Sequence, residues 1–154
     1  MPDLDSPFLF THTALLRASY RHWTGQDLVA PVLDAAAAVQ TLYEAPFAVV
    51  SHSAHGDPVF TYGNRVALEL FEMDWHEFTA LPSRLSADPE DQEDRNRLLA
   101  RVSSEGYTDN YSGVRISKTG RRFMIRGATL WNLIDGECRH RGQAAVIRQW
   151  DVLA

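Results

Sequence analysis

The sequence holds one cysteine, Cys138, in 154 residues. An intramolecular disulfide framework and a multi-cysteine zinc site are therefore both excluded. Positive charge is also scarce: 15 Lys and Arg stand against 20 Asp and Glu, a formal net charge of -5. A general nucleic-acid binder needs a basic face to neutralise phosphates, so nucleic acid is not an expected partner. Long apolar runs are missing. The stretch AAAAV at 35–39 is far shorter than the roughly 20 residues that span a bilayer. The opening MPDLDSP is acidic where a signal peptide is basic, so the reading is a cytoplasmic protein without a membrane partner. No GxSxG, phosphate loop, CxxC or HExxH occurs, so no familiar catalytic or metal motif is available.

What remains is an ordinary globular composition, 45% hydrophobic and 23% charged, in a chain of one-domain length. Residues 1–45 read as a helical extension and 46–154 as the main domain. Thr11 is the expected cap of a helix through HTALLRASYRHW, whose Leu15, Leu16, Tyr20 and Trp23 recur at helical steps. Pro31 suits the first turn of a second helix, VLDAAAAVQTLYEA, with Val32, Ala36, Val39 and Tyr43 on one stripe. After Pro46 the pattern turns to strands. FAVVSHS (47–53) and PVFTYGN (58–64) flank the turn residues HGDP. Asn64 is placed to cap a helix carrying Leu68, Phe71, Trp75 and Phe78, which Asp74 divides if it caps a second one. A proline-bounded loop (81–89) leads to a helix over 89–105, with acids first and Arg95, Arg97 and Arg101 later. Three strands follow, 107–117, 121–134 and 143–150, joined by short turns. The order predicts an α+β fold of PAS type: a five-stranded antiparallel sheet with short helices on one face, preceded by the N-terminal helices.

Three stretches go beyond element order. SHSAHGDPVFTYGNRVALELFEMDW (51–75), LPSRLSADP (81–89) and YSGVRISKTGRRFMIRGATLWNLID (111–135) resemble the MEKHLA domain. That PAS-related family occurs at the C-terminus of plant class III homeodomain–leucine zipper transcription factors and as stand-alone bacterial proteins. The resemblance covers about 44–150, and YRHWTGQDL (20–28) is similar to the stand-alone type. It implies a sensory or regulatory role with a ligand, redox or light input. These 154 residues hold no homeodomain or zipper, so a DNA-binding role is not carried over.

The cofactor remains open, with two chromophores disfavoured. A light–oxygen–voltage sensor attacks its flavin with a cysteine after the short central helices, and 76–90 has none. Haem in such folds hangs from a histidine on the helix before the last strands, and 89–105 has none. His52, His55 and Asp57 have metal-ligating side chains, but a strand and a turn send them to different faces, so no metal site is assigned. The expected ligand-binding residues are His52, Tyr62, Asn64, Arg84, Tyr111, Arg115 and Trp131. Tyr111 and Arg115 share a strand face at period two, and Arg84 with Arg115 could clamp a carboxylate or phosphate, making the expected ligand small and anionic or aromatic. On the next strand Thr129 and Trp131 share one face, and Arg126 and Asn132 the other. The function expected is ligand sensing, with the N-terminal helices either pairing two subunits or meeting a partner protein, or packing across their own sheet. Two alternatives stand beside it: a pure interaction domain with a filled core, and a small enzyme using His52 with a neighbour such as Tyr62.

Overall fold

A computed structural model describes residues 2–54, 56–88 and 92–153. The first helix, α1 (Pro7–Thr24), begins earlier than expected because Ser6 is its cap. The Ser6 hydroxyl accepts from Leu9 N at 3.2 Å. Pro7 takes the first position, where a missing N–H costs nothing. Likewise Asp34, not Pro31, starts α2 (Ala35–Tyr43), accepting from Ala37 N at 2.8 Å. Val32 falls outside the helix and is 89% exposed.

Strands β1 (Ala48–His52) and β2 (Phe60–Gly63) form the first hairpin. Asn64 caps α3 (Arg65–Phe71), and Asp74 caps α4 (Trp75–Phe78) through a reciprocal box with Glu77. Between the two helices Glu72 is left-handed, with φ 58°, so the stripe from Leu68 to Phe78 bends round Phe60 and Phe123 instead of running straight. A single 3-10 turn (Ser83–Ser86) precedes α5 (Gln92–Glu105). The expected start of α5 at Pro89 lies outside the described residues.

The chain then makes β3 (Tyr107–Ile116), β4 (Arg122–Ile134), β5 (His140–Ile147) and β6 (Gln149–Val152). The described sheet has six strands, in the order β2-β1-β5-β4-β3 with β6 beside β4. All pairs are antiparallel. Six replace the expected five because the last segment breaks at Arg148. Before it, β5 pairs with Thr129 to Ile134 of β4; after it, β6 pairs with Phe123 to Arg126.

Helices cover both faces of this sheet. Consecutive residues of β4 show it: the Trp131 ring meets Tyr20 of α1 edge-on at 4.9 Å, whereas the Asn132 amide donates to Val102 O of α5 at 2.9 Å. Leu130, Trp131, Asn132 and Leu133 are all buried as a result. Of the alternatives for the N-terminal helices, the structure shows packing across their own sheet. Leu9, Leu16 and Tyr20 of α1 are buried within the chain, and of its large apolar side chains Phe8 and Phe10 remain exposed. No described helix is long and apolar enough to cross a membrane.

Backbone passes close to backbone where β5 runs beside β1. Gly142 has φ +134°, and a β-carbon there would stand 2.1 Å from His52 O. Neither the conformation nor the neighbouring backbone can give way cheaply. Gly142→Ala is therefore expected to lower unfolding free energy by about 2–4 kcal/mol in urea denaturation. Gly120→Ala supplies the comparison. It also takes a positive φ but has open space around it, and should cost about 1 kcal/mol.

Candidate ligand-binding site

Antiparallel register sorts the sheet into rows, and rows alternate between the two faces. Ser51, Ala144 and Trp131 form one row with Tyr62 and Tyr107. It faces α1. The next row, Phe60, His52, Gln143 and Asn132, faces α5, as does the row of Val50, Ala145 and Leu130. Between these inner rows and the helices lies a cavity. The centre of a water-sized sphere has about 50 Å³ in it, room for roughly four waters. Phe71, Leu99, Ile125, Leu130 and Ile147 make most of its wall apolar, and His52, Ser83, Arg95, Tyr111, Arg115 and Gln143 supply the polar groups.

Two buried arginines dominate its electrostatics. Arg115, on β3, is 9% exposed, and its guanidinium carbon lies 5.3 Å from the centre of the Tyr111 ring. Its Nη1 is buried without a hydrogen-bond partner. Arg95, on α5, is 5% exposed and donates from Nη1 to Asn96 Oδ1 at 3.0 Å and from Nη2 to the Ser83 hydroxyl. Burial, and after it the charge of Arg115, pulls the Arg95 guanidinium down to about 10. Among the described residues no carboxylate is ion-paired with either. His52 Nδ1 lies 2.9 Å from Ser53 O. Burial chiefly, with Arg95 and Arg115 adding to it, lowers its imidazole to about 4, so the ring is neutral at pH 7.

The other polar groups are committed to structure. Gln143 donates to Leu99 O at 3.0 Å and to Asn132 Oδ1 at 3.1 Å, and Asn132 donates to Val102 O and Ser103 O. Together they fasten the carbonyl end of α5 to the sheet, while Arg95, nearer the other end, faces the cavity.

Of the seven expected residues, His52, Tyr111 and Arg115 come together here. The other four lie elsewhere. Tyr62 pairs with Ser51 and so faces α1, its hydroxyl buried without a partner and its ring 5.8 Å from His12. The pair His52 and Tyr62 does not assemble, because residues of adjacent rows point apart. Trp131 is on that outer face as well. Asn64 is wholly buried and accepts from Val49 N and Ala67 N while donating to Leu42 O and Phe47 O, which leaves nothing for a ligand. Arg84 is exposed and paired with Asp57 at 3.1 Å, so it forms no clamp with Arg115. Arg126 is also exposed, bonded to Asp151, and does not share a face with Asn132. Gly127, at φ +59°, bulges β4 between them and reverses the alternation.

Arg95 is the cavity-lining charge hidden by its sequence setting, among Arg97 and Arg101. The usable signal is its place at i, i+3, i+4 and i+7 with Leu98, Leu99 and Val102. The serine next to His52 also has an unexpected partner. Ser51 Oγ lies 2.8 Å from His12 Nε2 of α1 and 2.7 Å from Thr61 Oγ1. Ser51 is wholly buried, so this contact anchors α1 to the hairpin and presents no hydroxyl to a substrate. His55 lies outside the described residues, and among those described no three His, Cys, Asp or Glu side chains gather as metal ligands. Cys138 is exposed in the β4–β5 turn.

The arrangement has known counterparts. Among solved structures, the PAS domain of a protein from Colwellia psychrerythraea matches with a TM-score of 0.62 and 14% identity, over 71% of this chain and 91% of that one. A light–oxygen–voltage domain studied with a flavin analogue matches with a TM-score of 0.57 and 20% identity, over 75% of this chain and 84% of that one. These likenesses establish a PAS-like fold. In sequence, homeobox-leucine zipper protein ATHB-9 of Arabidopsis thaliana is 24% identical over 153 residues, 94% of this chain and 18% of that protein. Homeobox-leucine zipper protein HOX29 of Oryza sativa subsp. japonica is 28% identical over 126 residues, 77% of this chain and 14% of that protein. The chain thus spans less than a fifth of the curated relatives it matches. The MEKHLA domain model matches residues 10–152, from within α1 to the end of β6, and the chain belongs to that family.

Proposed function

We propose that this domain is a sensory or regulatory module that binds a small ligand in the cavity between the sheet and α5. One observation carries the reading: Arg115 lines the cavity, and one of its guanidinium nitrogens is buried with no partner. An unpaired buried charge costs several kcal/mol, and a protein retains it where something else completes it. The PAS-like fold of the family supports the regulatory role. The attachment of α5 supports a route for the signal. Its far end is bonded to the sheet through Asn132 and Gln143, while Arg95 meets whatever enters. A ligand that engages Arg95 thereby acts on a helix anchored at one end.

The expected result is a rise in melting temperature with the right small molecule. At 100 times Kd the gain is about 2.7 kcal/mol, or roughly 5–10 °C for a chain of this size. Native mass spectrometry of gently purified protein should show the retained molecule. Ala145→Leu, which adds bulk to a half-buried position on the inner face, should leave the protein folded and abolish the shift. A melt unmoved by a broad metabolite panel, with a clean mass spectrum, would leave the filled-core interaction domain as the better reading.

A further inference from the structure

Two buried arginines line one cavity from different elements, Arg95 from α5 and Arg115 from β3. We propose that the ligand is a short-chain carboxylate of about two to four carbons, its head held between Arg95 and Arg115 and its tail against Ile125, Leu130 and Ile147. This rests on the cavity being a ligand site, and it goes further by naming the ligand class.

The donors select an anion. Gln143 and Ser86 already give their hydrogen bonds to protein oxygens. The N–H groups left over are those of the arginines, with Arg115 Nη1 wholly unpartnered. His52 adds no positive charge at pH 7, and no described carboxylate forms an ion pair with the two that remain. An amine or a zwitterion would therefore bring its positive charge against two others. A carboxylate accepts from both arginines through short, charge-assisted bonds. The Tyr111 ring, 5.3 Å from the Arg115 guanidinium carbon, supports that group through its face. The walls then decide between anions. Phosphate or sulfate is polar on every side, whereas this cavity is apolar over most of its wall. A carboxylate with a short hydrocarbon tail matches both halves. The volume suggests the length: room for roughly four waters matches a carboxylate of a few carbons.

Isothermal titration of the full chain with four probes tests this: propionate, propionamide, propylamine and inorganic phosphate. Propionate should bind one to one, at least about tenfold more tightly than the isosteric propionamide and than phosphate, and propylamine should not bind. Arg95→Gln and Arg115→Gln should each weaken propionate by about tenfold or more, and Arg84→Gln, which changes an exposed arginine, should not. Should a variant fail to fold, the arginine side-chain NMR resonances of the wild type on adding propionate give the same answer. Only the two buried arginines should shift.

Glu90 and Asp91 lie outside the described residues, so Glu90→Gln with Asp91→Asn is a further arm. It should leave propionate binding unchanged, and binding seen only in that variant would mean those acids already neutralise the arginines and would overturn the proposal. Equal binding of propionamide and propionate, or tighter binding of phosphate, would also overturn it while the cavity remained a ligand site. No binding of any probe, with no shift across the metabolite panel, would remove both readings together.

Discussion

Asn64→Ala is expected to destabilise the protein by about 3–5 kcal/mol, lowering the melting temperature by roughly 10 °C or more. The reason is position. Three elements meet at this buried side chain: the end of α2, the start of β1 and the first turn of α3. Its Oδ1 accepts from Val49 N at 3.0 Å and Ala67 N at 3.1 Å, and its Nδ2 donates to Leu42 O at 3.0 Å and Phe47 O at 2.8 Å. Alanine leaves two backbone donors and two backbone acceptors without that partner. Each buried group so abandoned costs about 1–3 kcal/mol unless water reaches it. Asn64→Asp separates the two halves of the argument. It keeps the acceptors for Val49 and Ala67 but turns a negative oxygen towards two carbonyls, so it should be at least as damaging at pH 7. Urea denaturation of the three proteins measures this directly. A loss below about 1 kcal/mol for alanine would mean that the joint relaxes or hydrates at little cost.

Asn64 also shows where sequence reasoning succeeds and where it stops. A cap before an apolar periodic run is a local event, and Asn64, Asp74 and Gly106 mark helix boundaries where local chemistry places them. Period two placed Tyr111 and Arg115 on one face of β3, and both line the cavity. What was not legible is which face of each strand meets which helix. With helices on both sides, Leu130 to Leu133 are buried without interruption, so alternation gives no label for inside and outside. Tyr62 and Trp131 were assigned to a pocket they back onto for that reason. The bulge at Gly127 compounds it, because a one-residue slip exchanges the two faces and sends Arg126 into solvent.

The arginines follow the same division. Arg84 sits in a single 3-10 turn whose position is set by long-range contacts, such as Ser83 N donating to Pro58 O at 2.8 Å. Spacing says nothing about such a position. Arg95 had a readable signal that its neighbours masked: a charged residue on the stripe of Leu98, Leu99 and Val102. An arginine in the apolar stripe of an otherwise polar helix marks a charge that needs partners, and among the described residues those of Arg95 are the neutral Asn96 and Ser83.

Acid should weaken the protein well before its carboxylates titrate. Two histidines are held neutral on opposite faces of the sheet, His12 on the inner side of α1 and His52 in the cavity. Burial lowers His12 to about 4, and burial, with Arg95 and Arg115 adding to it, lowers His52 to about 4. An unfolded histidine titrates near 6.5. Between those values the unfolded chain takes up protons that the folded chain does not, so stability rises with pH across the window. The full contribution is present above about pH 6.5 and is lost as pH falls towards about 4. Each histidine gives a slope of about 1.4 kcal/mol per pH unit, so the pair removes roughly 3–5 kcal/mol from pH 6.5 to 4.5. Glu72, Glu77 and Asp135 have lowered values too, through hydrogen bonds to Thr119, to Lys118 and to the Arg139 backbone first among their causes. Stability from depressed carboxylates is lost only as pH falls below their ordinary range near 4, so it adds at the acid end of the curve. Urea midpoints at pH 7.5, 6.5, 5.5 and 4.5 measure the slope. His12→Asn and His52→Gln should each remove about half of it, and the double variant should be nearly flat to pH 4.5. A wild-type curve that is itself flat over that range would mean that one or both imidazoles find a partner when charged. The His52 variant carries a second consequence. Acid protonation of His52 adds a third positive charge beside Arg95 and Arg115, so an anion that binds there should raise the His52 value and lessen the loss of stability in acid, an effect that His52→Gln should abolish.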